Sequence, residues 1–155
     1  MRDHFAILKV GPALTFALRE AIWALDQVER EWLGEEHSSQ VRGTILAAMR
    51  SDPSHWRKYY HETGHALELQ LQYSLSDRIR YYWPTSAVSR ALTHLESSLE
   101  AAPPPPSLLH QYLPAAVGSL RRAGRPLSAR NLLLDHVRQV LADYSSACRT
   151  EEAPA

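Results

Sequence analysis

The sequence has 155 residues, 45% of them apolar, which is enough for one compact domain with its own core. Its 17 basic side chains balance 17 acidic ones, so no net field draws it to nucleic acid or to an anionic membrane. Cys148 is the only cysteine, which excludes an intrachain disulfide, leaves no partner thiols for a zinc–thiolate site and fits a reducing, cytoplasmic setting.

The run Phe5-Ala6-Ile7-Leu8-Lys9-Val10 is short, apolar and stopped by Gly11-Pro12, the pattern of a strand buried on both faces. It is too short for a membrane span and is broken by Lys9, which also argues against a signal h-region. Pro12 suits a first helical position, and Leu14, Leu18, Ala21, Leu25, Val28 and Trp32 follow at alternating steps of four and three, up to a capping Gly34. A second helix is expected from about Ser39 through Val41, Ile45, Ala48 and Met49, with Asp52 as N-cap of a third helical stretch carrying Trp56, Tyr59 and Tyr60.

Between Gly64 and Tyr73, Leu67, Leu69, Leu71 and Tyr73 alternate as in a strand, whereas Ala66, Glu68 and Gln70 favour helix, and helix is the preferred reading. Ser76 is a candidate cap for a short turn over residues 77–83, ended by Pro84. Thr85 or Ser86 then opens a helix with Val88, Ala91, Leu92, Leu95 and Leu99 on its apolar face. Pro103 to Pro106 forms a stiff connector, short enough to join helices of one domain. Two short helices, 108–113 and 114–123, and a longer one capped by Ser128, with Leu133, Val137, Val140, Leu141 and Tyr144, complete the chain before a tail at 151–155.

Three clusters carry possible chemistry. His61-Glu62-Thr63-Gly64-His65 matches H-E-x-x-H, whose histidines share one helix face and could bind zinc with Glu62 as general base. Gly64 works against the helix this needs, and no third ligand has a motif of its own, so a small zinc hydrolase using His61 and His65 is the alternative reading. Asp77, Arg78 and Arg80 interleave with Tyr81, Tyr82 and Trp83, which suits phosphate or partner recognition, or an internal ion pair beneath packed rings; the structural version is favoured. Arg121, Arg122 and Arg125 read as a solvated helix end. No G-x-x-x-x-G-K-[ST] loop is present to support phosphotransfer.

The stretches from His4 to Ala21 (HFAILKVGPALTFALREA) and from Ser74 to Pro84 (SLSDRIRYYWP) resemble the C-terminal portion of the non-catalytic subunit of D-tagatose-1,6-bisphosphate aldolase. Further similarity lies in His55-Trp56-Arg57-Lys58-Tyr59-Tyr60, in Gln111-Tyr112-Leu113-Pro114 and in the helix from Leu134-Asp135-His136 to Cys148. The resemblance implies a (β/α)8 barrel with an extended helical C-terminal region, a place in galactitol, tagatose and N-acetylgalactosamine catabolism, and support of a separate zinc-dependent catalytic subunit.

Members of that family are far longer, so Met1 looks like an internal start or a fragment boundary. The expected architecture is mostly α: residues 1–34 resemble the last strand and helix of a truncated barrel, and residues 35–150 form a helical region. The resemblance places Gly11-Pro12 where a barrel strand hands over to its helix. Free N–H groups there could help hold a sugar phosphate, with Lys9 adding charge, although glycine and proline also serve such a turn for conformational reasons. The expected role is accessory and without a cofactor in this chain, the partner being the aldolase catalytic subunit and self-association a further possibility.

Overall fold

The computed structural model describes residues 11–148. The helices are α1 (Ala13–Leu33), α2 (Val41–Ser51), α3 (Gly64–Tyr73), α4 (Ser86–Ala101), α5 (Pro106–Tyr112), α6 (Pro114–Arg122) and α7 (Ala129–Cys148), with 3-10 turns at Glu35–His37, Pro53–His55 and Ile79–Tyr81. No strand occurs among the described residues, and the expected strand Phe5 to Val10 lies outside them. No helix among them is long and apolar enough to cross a membrane.

Helix α1 organises the fold. It starts one residue later than the proline signal implies: the Pro12 carbonyl accepts the Phe16 N–H at 2.8 Å and the Thr15 hydroxyl at 2.9 Å. It stops at Gly34, whose φ of +88° is open to glycine and strained for other residues, and whose N–H returns to the Arg30 carbonyl. Helices α2, α4, α5 and α7 all pack on α1, so more than one stripe of it is buried.

Ala21, Leu25 and Val28 meet a single hydrophobic cluster that includes Ile45 and Met49 of α2, Val88 and Leu95 of α4, Val117 and Leu120 of α6, and Leu132 of α7. Each such large aliphatic side chain contributes about 1.5–3 kcal/mol when fully buried. The expected seam fails at its end: Trp32 is 44% exposed, its indole N–H donating to the Ala102 carbonyl beyond α4. Along α7, Leu133 is buried as expected, whereas Leu141 is exposed.

Three polar residues of α1 are buried that periodicity would assign to solvent: Arg19, Asp26 and Glu29. The two carboxylates serve the start of α2. Gln40, at its N-cap, is left-handed with φ +51° and offers no side-chain cap. Instead, Asp26 accepts from the Arg42 N–H at 3.3 Å, and Glu29 accepts from the Ser39 N–H at 2.8 Å, from the Ser39 hydroxyl and from the Ser98 hydroxyl of α4. Carboxylates from a neighbouring helix thus take donors that the chain's own capping residue would ordinarily take. Arg30, one turn on from Asp26, lies 3.1 Å from its other oxygen.

Of the later caps, those of α6 and α7 follow the sequence signals. Pro114 opens α6 as expected, at a position that needs no N–H partner, with Leu113 closing one helix and opening the next; α5 instead begins at Pro106, earlier than the expected Leu108, because proline is tolerated in a first turn. The Ser128 hydroxyl accepts from the Asn131 N–H at the start of α7. Residues on both sides of the proline connector, which ends at Pro105, share the one core cluster.

Candidate functional site

The segment Ser74–Trp83 folds back on the first half of α1 around a single anchor. Arg19 is 3% exposed; its guanidinium donates to the Ser74 carbonyl at 2.9 Å and lies 3.4 Å from the Asp77 carboxylate, which is fully enclosed. Asp77 also accepts from the Ile79 N–H at 3.1 Å, so Asp77, and not the expected Ser76, sets the 3-10 turn that follows. Burial raises the Asp77 carboxyl above the usual carboxylate range, opposed by the positive charge of Arg19 and by the Ile79 N–H. Asp77 forms an internal ion pair, but with Arg19, 58 residues away in sequence, and with neither Arg78 nor Arg80, the cations of the motif itself.

With Asp77 turned inward, Arg78 and Arg80 lie over aromatic rings. The Arg78 guanidinium sits 3.4 Å from the centre of the Tyr59 ring, and Arg80 lies 4.9 Å from that of Tyr81 while donating to its hydroxyl at 3.0 Å. Lys58 approaches the Tyr59 ring at 5.1 Å, and His55 stacks on Tyr81 at 4.7 Å. The hydrogen bond from Arg80, reinforced by the charges of Arg80 and Arg78, lowers the Tyr81 phenol below its usual value. Tyr82 faces the other way: it is buried, donates its hydroxyl to the Asp52 carbonyl, and is pushed up to about 12 by burial and by the Asp52 charge. Trp83 is half-buried against the core.

The opposing segment, 52–60, is not the third helix expected. Asp52 does cap, through the Ser54 N–H, but only a 3-10 turn follows. The Trp56 indole N–H donates back to the Met49 carbonyl of α2, and the Tyr60 hydroxyl reaches the Ser76 carbonyl at 2.9 Å. These two aromatic side chains hold the loop in an irregular path that joins it to the Ser74–Trp83 segment.

The H-E-x-x-H sequence does not form the helical metal motif. Helix α3 begins at Gly64, in a left-handed conformation with φ +54°, so His61 and Glu62 precede the helix and only His65 lies on it. All three are exposed. Among the described residues no group of three or more His, Cys, Asp and Glu side chains could hold a metal ion. Of the phosphate candidates, Gly11 is exposed just before α1, with open space where a Cβ would stand, and Lys9 lies outside the described residues. Arg19, Lys58, Tyr59 and His55 complete the cluster around the predicted motif; two of them, Lys58 and Tyr59, could have been suspected from the basic and aromatic run Arg57-Lys58-Tyr59-Tyr60.

These features define a helical module in which a buried arginine on the central helix holds an arginine- and tyrosine-rich loop pair at the surface. The chain matches the D-tagatose-1,6-bisphosphate aldolase subunit GatZ/KbaZ-like family over residues 1–149, and it belongs to that family. It is also similar to the crystal structure of a probable tagatose 6 phosphate kinase from Sinorhizobium meliloti 1021, at 41% sequence identity and a TM-score of 0.84. That match covers 93% of this chain and 37% of the other, so the chain spans little more than a third of the length of that relative.

Proposed function

We propose that this chain acts as an accessory, non-catalytic part of a class II D-tagatose-1,6-bisphosphate aldolase, stabilising a separate catalytic subunit in galactitol- or N-acetylgalactosamine-type carbohydrate catabolism. The family match over residues 1–149 carries the reading. In it, the zinc of the reaction belongs to the catalytic subunit, and this chain contributes binding free energy in the cytoplasm and no cofactor of its own. Because a partner that binds only the folded state stabilises it by mass action, a hundred-fold excess over Kd adds about 2.7 kcal/mol.

The test is the half-life of aldolase activity of the purified catalytic subunit at elevated temperature, with and without added chain. A longer half-life together with co-purification of the two proteins is expected. An unchanged half-life and no co-purification overturn the reading.

A further inference from the structure

The paired loops 52–60 and 74–83 carry four cations, Arg57, Lys58, Arg78 and Arg80, without a carboxylate partner among the described residues. The two acids within these loops are already engaged: Asp77 is turned inward to Arg19, and the Asp52 carboxylate is held by the Ser54 N–H. In a chain whose formal charges cancel overall, this makes a local excess of positive charge at one place on the surface.

Two of these arginines are also held in place. Arg78 lies over the Tyr59 ring, and Arg80 lies beside the Tyr81 ring and donates to its hydroxyl. The rings themselves remain 42% and 41% exposed. Arginine and tyrosine fixed against each other lose little side-chain freedom on association, and both residue types are enriched where binding energy concentrates in protein interfaces. A guanidinium against an exposed ring presents charge and apolar surface side by side, which suits a protein face.

We infer that the surface of Lys58, Tyr59, Arg78, Arg80 and Tyr81 is the face through which this chain docks on an acidic surface of its protein partner. This rests on the accessory-subunit reading, in which that partner is the aldolase catalytic subunit. Asp and Glu side chains of the partner replace the carboxylates this face lacks, and the exposed ring faces are buried at the same time.

The experiment measures the affinity of the full chain for the purified catalytic subunit, at low and at high sodium chloride. The parent chain is compared with R78E/R80E, with K58E alone, and with R121E/R122E on α6 as an equal charge change elsewhere. Circular dichroism and thermal unfolding establish that each variant is folded. The expected result is binding that weakens with salt, falls about ten-fold or more in R78E/R80E, falls less but measurably in K58E, and stays within about twofold of the parent in R121E/R122E.

K58E provides the answer if R78E/R80E loses its fold, because Lys58 is exposed and its ammonium lies over the Tyr59 ring at the surface. Parent binding that is unaltered in folded R78E/R80E, or in K58E, overturns the docking face and leaves the accessory reading intact. Equal loss in R121E/R122E overturns it as well, since net charge would then suffice. Displacement of the partner by millimolar inorganic phosphate at constant ionic strength marks an anion site instead of a protein face. Absence of any parent binding overturns both readings.

Discussion

Replacing Arg19 with alanine perturbs the anchor on which the loop pair depends. R19A removes the cation beside the enclosed Asp77 carboxylate, which keeps its bond from the Ile79 N–H, and strips the Ser74 carbonyl of its donor. Removing one member of a buried ion pair costs about 3–5 kcal/mol. The 3.4 Å separation is long for a charge-assisted hydrogen bond, which puts the expectation at the lower end, about 3 kcal/mol. At roughly 2–4 °C per kcal/mol for a chain of this size, the thermal midpoint falls by about 6–12 °C.

The loss also has a pH signature. Burial already raises the Asp77 carboxyl, and Arg19 opposes that rise, so in R19A the folded carboxyl rises further. A carboxyl whose folded pKa lies above its unfolded value binds protons more tightly when folded. Its stabilising contribution is therefore complete below the unfolded value of 3.8 and is lost as pH climbs through the folded value. The deficit of R19A relative to the parent is accordingly largest at neutral pH and narrows as pH falls through the raised pKa of the variant towards 3.8. Urea unfolding followed by circular dichroism, at neutral pH and again near the ordinary carboxylate range, measures both. A loss below about 1 kcal/mol at neutral pH, or one that does not change with pH, refutes the reasoning.

E29A removes the acceptor of the Ser39 N–H and of two hydroxyls in a fully buried site, and is expected to cost about 2–4 kcal/mol in urea unfolding; E29Q, which keeps one acceptor, loses less. G34A forces a side chain into φ +88° and is expected to cost about 1–3 kcal/mol; a smaller change in thermal midpoint than about 2 °C would show that the end of α1 relaxes freely. R80Q withdraws the charge that lowers the Tyr81 phenol, so the difference titration between R80Q and its parent, read as tyrosinate absorbance, shows one tyrosine ionising at higher pH in R80Q; superimposable curves would contradict the stacked arrangement.

Sequence reasoning succeeded where the determining interaction is local. Gly34, Asp52, Pro114 and Ser128 each mark an observed boundary because a cap or a missing N–H acts within a few residues. Residues 64–73, where alternation competed with helix propensity, are helical. It failed where a polar side chain serves a distant element. Arg19, Asp26 and Glu29 sit at positions that a single amphipathic stripe assigns to water, yet α1 has neighbours on several sides, and these residues satisfy the backbone of α2 and of the Ser74–Trp83 segment.

The stretch 53–60 reads as helix because nothing in its composition reveals that the Trp56 and Tyr60 side chains bond to Met49 and Ser76. The H-E-x-x-H pattern misleads for a conformational reason: Gly64 takes φ +54° as the first residue of α3, which separates the two histidines. The surface of the candidate site was legible in Arg78, Arg80 and Tyr81 and one half of its anchor in Asp77, but the other half, Arg19, was not.

The carboxylates that α1 lends to α2 have a consequence for how the molecule opens. A helix whose first turn is terminated by its own serine or aspartate can fray and reform alone, whereas α2 begins at a left-handed Gln40 and depends on Asp26 and Glu29 for its leading amides. Local opening of α2 therefore exposes two buried acids of α1, and displacement of α1 removes the start of α2. The two helices should behave as one cooperative unit in native-state hydrogen exchange, with the amides of Ser39 and Arg42 protected to the same free energy as the middle of α1.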